Sequence, residues 1–328
     1  MPTPTVPVAA CPSAGSSTGA SRYAPLLVLA AAGLWGTTGT AQVLGHVHDP
    51  VVVGAARLAA GGGALVLIAL ARSGFSTMRA CLRRPLLGWT ALAAVATAVY
   101  QSAFFSAVAS TGVATGTVVA LGTAPVATGL CGAVLFGERL TRWWAGATVL
   151  AVAGCVALVS ASSSGAAAVR PAGVALAVLA GGCYGLYTSG AKALLDRQVP
   201  VVPAMAVTLG LGAVLLTPVL LPGASDLVGV RSPLMVGWLG LVTTAAAYLL
   251  FARGRRQLPA GTVGTLSLAE PLTATALGLV VLGERPEARA ALGALSLLAG
   301  LLLAALRPGQ TPPAALIVPH TEAEEVAA

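Results

Sequence analysis

The fold is decided by the stretch from Val263 to Arg285, VGTLSLAEPLTATALGLVVLGER. It is apolar over ~20 residues, the length that a helix needs to cross a bilayer, yet it contains Glu270 followed at once by Pro271. Glu270 lies 11 residues into the run that starts at Pro259, which places it ~17 Å along a helix and near the middle of a membrane. An ionisable group at that depth is costly unless it faces a wet cavity or a partner. The stretch therefore predicts either a functional acid on a substrate or proton pathway, or a structural carboxylate bonded to a neighbouring helix.

Composition places the whole chain in a membrane. Of its 328 residues 57% are hydrophobic and 9% charged, against ~25% charged in ordinary soluble domains. Long apolar runs follow one another, without the ~10-residue alternating segments of a membrane β-barrel. The net charge of +8 falls mostly in short loops between these runs, where Lys and Arg act as topology signals. The composition therefore predicts an all-α polytopic protein in contact with the lipid bilayer and argues against a nucleic-acid partner.

Metal and cofactor chemistry finds no support in the sequence. The five cysteines are scattered, without the spacing of metal ligands or of a disulfide framework. We expect His46 and His48 to lie in a solvated loop. Residues 1–23 and 307–328 are interpreted as flexible tails, the first because it lacks the basic start of a signal peptide.

The apolar runs predict ten transmembrane helices. We place them near residues 24–43, 50–71, 86–108, 111–136, 142–160, 172–194, 200–221, 233–252, 259–282 and 288–306. With the amino terminus inside, 13 Lys and Arg residues fall in inner segments and four in outer loops, while Arg57 lies within a span. This bias predicts a multi-pass protein of the cell membrane with both termini in the cytoplasm.

The chain also contains an internal repeat. Residues 121–139, LGTAPVATGLCGAVLFGER, match residues 267–285, SLAEPLTATALGLVVLGER, so that Pro125 pairs with Pro271 at an offset of 146 residues. Upstream, GLWG at Gly33 parallels GCYG at Gly182 at an offset of 149 residues. Because each half holds five helices, an odd number, the second must be threaded upside-down. The sequence therefore predicts two inverted five-helix repeats, 24–160 and 172–306, with a site at their interface near the midplane.

These motifs resemble the drug/metabolite transporter superfamily and its EamA-type branch. The resemblance rests on LWG in the first helix, AARLA around Arg57, FGERLT in the fourth hairpin and EPLTATALGLVVLGE in the ninth helix. GTLSLAEP and GGCYGLYTSGAKA are similar to the threonine/homoserine exporters of that branch. The resemblance implies a carrier for small molecules, in which members often have the acid at Glu270.

Glu270 and Pro271 are the first candidates for substrate binding and coupling, because an acid beside a proline break suits ligand binding linked to movement. Arg57 is a candidate for binding the carboxylate of a substrate or for pairing with Glu270. The alternative is a structural role, either in a salt bridge between helices or as a snorkelling side chain. Pro125 repeats the predicted hinge of Pro271 but has Ala124 where the acid would be.

Larger side chains with polar tips are candidates for lining a cavity, although Trp and Tyr in membrane proteins also form interfacial belts. They are Trp35, Tyr100, Gln101, Tyr184, Tyr187 and Tyr248.

Three charged residues are expected to have structural roles. Glu138 and Glu284 occupy equivalent places at hairpin ends, just before the next helix, and we expect them to cap that helix or to fix the hairpin, because an acid is favourable near a helix N-terminus. Lys192, close to the inner end of its helix, is expected to be an interfacial anchor.

The leading functional hypothesis is a secondary transporter that exports a small metabolite, an amino acid or related amphiphile, by alternating access with proton exchange at Glu270. Within transport, drug or cation efflux and metabolite uptake remain alternatives. A channel would need rings of pore-lining polar residues, and a structural membrane protein would not need Glu270. An enzyme would need clustered catalytic groups, which three histidines and few acids do not supply. The sequence leaves the oligomeric state open.

Overall fold

A computed structural model describes residues 23–45, 49–161, 170–227, 232–281 and 288–306. These residues are almost entirely helical, which confirms the all-α prediction. The predictions for Glu284, for His46 and His48, and for both tails lie outside the described residues, apart from Tyr23. In chain order, α1 to α10 are Ala24–Gly45, Pro50–Cys81, Leu87–Thr111, Val113–Phe136, Arg142–Ala161, Pro171–Asp196, Val201–Leu215, Pro233–Arg255, Ala260–Val281 and Ala288–Leu306.

The prediction of ten spans is confirmed only in part. Within the described ranges, nine helices are long and apolar enough to cross a membrane. The exception is α7, whose 15 residues reach ~22 Å at ~1.5 Å per residue. It ends at Leu215, with Leu216 as its C-cap residue, and a separate short helix, Thr217–Leu220, follows. Pro218 explains the break, because it lacks the N–H that would continue the hydrogen bonding of α7.

Two glycines lie where the observed helices differ from those predicted from the apolar pattern, one between two helices and one at a kink inside a helix. We predicted the third and fourth spans to part at Ala109 and Ser110, but α3 and α4 part at Gly112, whose φ is 84°. We predicted the second span to end at residue 71, but α2 continues to Cys81 after a kink at Gly74, where φ is 73°. Both angles lie in the region that glycine adopts without steric cost.

The contacts between helices have equivalents when α1 to α5 are exchanged with α6 to α10 in order. The contact of α1 with α9 corresponds to that of α6 with α4, and the contact of α3 with α6 to that of α8 with α1. The contact of α2 with α8 corresponds to that of α7 with α3, while α2 with α7 and α5 with α10 correspond to themselves. This pattern is that of two halves related by a pseudo-two-fold axis. Their orientation in the membrane stays a prediction.

The contact of α5 with α10 shows this relation at the level of single glycines. A Cβ at Gly154 would meet the backbone of Gly293 and Leu297. In the other half, a Cβ at Gly300 would meet the backbone of Ala147, which is the residue equivalent to Gly293. Small residues let the two helix backbones approach closely, as in other membrane helix pairs.

Candidate functional site

A small polar cavity lies between the two halves. Its volume is about 40 Å³, room for a few water molecules at ~10–15 Å³ each. It is lined by Trp35, Arg57, Tyr100, Ala120, Leu121, Ala124, Tyr184, Tyr248, Gly264, Ser267, Leu268 and Glu270.

Six of the residues that we predicted for the substrate or coupling site line this cavity: Trp35, Arg57, Tyr100, Tyr184, Tyr248 and Glu270. They come from six different helices, so only the tertiary fold brings them together. Gln101, Tyr187 and Pro271 are not among the lining residues.

Equivalent positions of the two repeats face each other across the cavity. Four pairs separated by 146 to 149 residues contribute both members to its lining: Trp35 with Tyr184, Tyr100 with Tyr248, Leu121 with Ser267, and Ala124 with Glu270. The cavity therefore lies on the pseudo-two-fold axis. Its two charges break the symmetry, because Glu270 is matched by Ala124 and Arg57 has no basic counterpart among the lining residues.

Glu270 follows a break in α9. The first segment of this helix, Ala260–Ser267, ends at Leu268, and the second begins at Ala269. Pro271 accounts for the break, since its nitrogen cannot donate to the carbonyl of Ser267 four residues earlier. The break thus lies directly beside the acid, as the sequence predicted.

Pro125, the equivalent proline, behaves differently. It lies inside α4, which continues unbroken from Val113 to Phe136. The same residue type therefore interrupts one helix and not its counterpart. Movement at either proline stays a prediction.

Arg57 is held by Gln101 and makes no ion pair with Glu270. Its Nη2 donates to Oε1 of Gln101 at 3.1 Å, and Nε2 of Gln101 donates to the carbonyl of Gly54 at 2.9 Å. The Nε atom of Arg57 is buried without an acceptor among the described residues. Gln101, predicted to line the cavity, therefore lies behind it and orients the guanidinium.

Aromatic rings form the walls of the cavity. Trp35 packs edge-on against Tyr248, with ring centroids 5.3 Å apart, and Tyr100 lies 6.2 Å from Tyr184. Tyr187, which we also predicted to line the cavity, packs behind Tyr248 at 5.6 Å instead. These contacts leave a cavity with aromatic sides and a polar interior.

Ser267 is a lining residue that the sequence analysis missed. Its hydroxyl lies 2.7 Å from that of Tyr184. Ser267 precedes Glu270 by three residues, on the other side of the break at Leu268. Its position close to Glu270 in the sequence was the available signal for a lining role.

Glu138 joins the two halves at one end of the molecule. We predicted a capping or hairpin-fixing role for it, and its Oε2 accepts from the backbone N–H of Ala260, at 2.6 Å. Ala260 is the first residue of α9, so the first repeat caps a helix of the second. An acid there is favourable because a helix N-terminus carries partial positive charge.

Lys192 is not the interfacial anchor that we predicted. It is only 7% exposed, since its Nζ lies 2.8 Å from Asp196 Oδ2 and 3.7 Å from Glu138 Oε1. It also lies over the ring of Phe136, 5.0 Å from the centroid. The prediction failed because Glu138 and Asp196 lie within reach of its ammonium group, and paired charges can be buried.

Arg255, at the end of α8, belongs to the same region. It is 1% exposed, and its Nε, Nη1 and Nη2 have no hydrogen-bond acceptor among the described residues. Glu138 and Asp196 lie within electrostatic reach of its guanidinium. We refer to Glu138, Lys192, Asp196, Arg255 and the N-terminus of α9 as the charged cluster.

Three comparisons with known proteins agree with this architecture. A model described as the EamA-like transporter family matches residues 22–160 and 171–306. An uncharacterized transporter of Bacillus subtilis (strain 168), YwfM, is 42% identical over 291 residues, which cover 86% of this chain and 94% of YwfM. A putative permease-like protein of the same organism, YdzE, is 38% identical over 66 residues, 20% of this chain and 85% of YdzE. A solved crystal structure with 24% identity has a TM-score of 0.73 and covers 87% of this chain and 97% of the other; this likeness shows the fold alone.

Proposed function

The chain belongs to the EamA-like transporter family, and on that premise we propose that it exports a small zwitterion, an amino acid or a close relative, in exchange for protons. The observation that carries this proposal is the charge pattern of the cavity. One guanidinium, on Arg57, and one carboxylate, on Glu270, share a space lined otherwise by aromatic, aliphatic and hydroxyl-bearing residues, without pairing with each other. A zwitterion with its carboxylate at Arg57 and its ammonium at Glu270 would satisfy both charges.

Proton coupling follows from the same arrangement. The groups that face Glu270 in the cavity are Arg57 and the hydroxyls of Tyr100, Tyr184, Tyr248 and Ser267. A proton on Glu270 removes the negative charge that attracts an ammonium group, so proton and substrate compete for one site. Such competition couples proton entry to substrate release when the site is exposed to alternate sides of the membrane.

Alternating access is supported by the size and position of the cavity. At about 40 Å³ it is smaller than the ~300–1,000 Å³ of typical ligand sites, so a substrate must enter in a wider conformation. The charged cluster joins the two halves at the ends of α4, α6 and α8 and the start of α9, all of which we predict to face the cytoplasm. We therefore assign the charged cluster to the closed cytoplasmic side of the transporter.

Export, rather than uptake, rests on the resemblance to threonine/homoserine exporters. Efflux of organic cations is the second candidate, because aromatic rings around a carboxylate also suit a cation. Arg57 in the same cavity disfavours it, since two cations would repel each other there.

Exchange in proteoliposomes tests the proposal. Vesicles loaded with labelled threonine are given an imposed pH gradient, with other amino acids and amphiphilic cations as competitors. We expect saturable exchange of labelled threonine that is driven by the gradient and inhibited by other amino acids. We expect Glu270→Gln to lose the response to the gradient, while Asp49→Asn, which alters an acid at the start of α2 outside the cavity, retains it. A folded Glu270→Gln protein that responds to the gradient like the wild type would show that this acid is structural, and competition by cations alone would favour the second candidate.

A further inference from the structure

A second cavity, far larger than the central one, lies along α2 and α7. Its volume is about 740 Å³, and its lining is apolar except for Arg79 and Thr217. Exposed side chains such as Phe75 and Val214, 68% and 65% exposed, show that it opens on the outer surface of the helices. We call this cavity the lateral groove.

The kink of α2 at Gly74 determines the shape of the lateral groove. After this glycine, whose φ is 73°, the chain continues as a helical arm to Cys81. Phe75, Met78, Arg79 and Leu82 line the groove, and their spacing of three and four residues places them on one face of the arm. One arginine is therefore held at the edge of an apolar surface.

Arg79 belongs to a strongly basic segment. Residues 72–84 contain Arg72, Arg79, Arg83 and Arg84 and no acidic residue. All four arginines are exposed, and the ion pairs among the described residues involve none of them. The segment thus presents unneutralised positive charge beside an apolar groove that is open to the surroundings of the helices.

We propose that the lateral groove is a binding site for an anionic phospholipid, with the lipid phosphate at Arg79 and one acyl chain along α2 and α7. Clusters of arginines beside membrane helices attract anionic headgroups, and a guanidinium matches the geometry of phosphate oxygens. The volume of about 740 Å³ lies within the ~300–1,000 Å³ range of ligand sites.

Gly63 provides a way to fill the lateral groove without disturbing the fold. It lines the groove, and a Cβ added to it would meet nothing within 4 Å. Gly63→Leu therefore occupies the space assigned to the acyl chain. Gly146→Leu is its matched control, because Gly146 is equally open but lies on α5, away from the groove.

Binding to the purified full-length chain is measured by native mass spectrometry with added palmitoyl-oleoyl phosphatidylglycerol, and with the corresponding phosphatidylcholine for comparison. We expect one phosphatidylglycerol molecule to be retained in preference to phosphatidylcholine. Arg79→Gln should weaken phosphatidylglycerol binding about fivefold, the effect of removing one basic residue near a headgroup. Arg142→Gln, an exposed arginine on α5, should leave it unchanged.

Gly63→Leu should abolish retention of that lipid, while Gly146→Leu should retain it. Equal binding of the two lipids by the wild type would overturn the assignment of an anionic headgroup. Undiminished retention in Gly63→Leu would show that no acyl chain occupies the lateral groove. A change in Arg142→Gln as large as that in Arg79→Gln would mean that only overall charge matters and would also overturn the proposal.

Discussion

At the scale of single residues, the two repeated segments, 121–139 and 267–285, each contain a glutamate whose surroundings differ from those of the other. Glu270 faces a cavity and has no ion pair there, whereas Glu138 is buried against a helix N-terminus and a lysine. Position 124, the counterpart of Glu270, is alanine. An unpaired acid on one side of a symmetric cavity is what the proposed binding role of Glu270 requires, while Glu138, with two buried partners, has the surroundings of a structural residue.

The framework role of Glu138 predicts a large loss of stability in Glu138→Ala. The change removes the acceptor for the N–H of Ala260 and leaves Lys192 with Asp196 as its remaining acidic partner. We expect a loss of ~2–3 kcal/mol, because the buried N–H of Ala260 is left without its acceptor and hydrogen bonds to charged groups are the stronger ones. Asp49→Ala, which removes the side-chain cap that accepts from Val51 and Val52 at the start of α2, should cost ~1 kcal/mol. Thermal unfolding in detergent measures both, and equal losses would contradict the role assigned to Glu138.

At the scale of helices, prolines and glycines explain most differences between the predicted and observed elements. Pro271 gave a correct expectation of a break in α9, yet Pro125 leaves α4 continuous. A proline removes one backbone hydrogen bond wherever it lies, but this loss alone does not determine whether the helix breaks there. Helix ends at Gly112 and Leu216 were missed because the apolar runs continue through them.

The break at Leu268 predicts a selective effect of Pro271→Ala. Alanine restores the N–H that can donate to the carbonyl of Ser267, so α9 should become continuous and transport should slow several-fold. Pro125→Ala, in the unbroken α4, should transport at the wild-type rate. Exchange rates in proteoliposomes, at equal protein content, measure the difference. If both variants exchange like the wild type, the break has no part in the transport cycle.

At the scale of the whole molecule, the repeat offset was the most informative part of the sequence. It predicted two halves, and the observed helix contacts and the paired lining of the cavity follow it. The charged cluster was not predictable in this way, because Glu138, Lys192 and Arg255 have no shared motif and meet only through the fold. The lateral groove was not predicted for a related reason. The kink at Gly74 lies beyond residue 71, where we predicted the second helix to end.

The mirrored contact of α5 with α10 has a consequence for how the chain is assembled. Because Gly154 and Gly300 each face the equivalent surface of the other helix, the contact is isologous, the type made by two identical subunits. Here the halves of one chain take the place of subunits, and they differ from subunits in being covalently joined between α5 and α6, a connection that we call the tether. Co-expressed fragments 1–165 and 166–328 should therefore copurify and recover exchange activity, whereas the second fragment alone lacks the cap that Glu138 gives to α9. Fragments that fail to associate would show that the tether itself is needed for assembly.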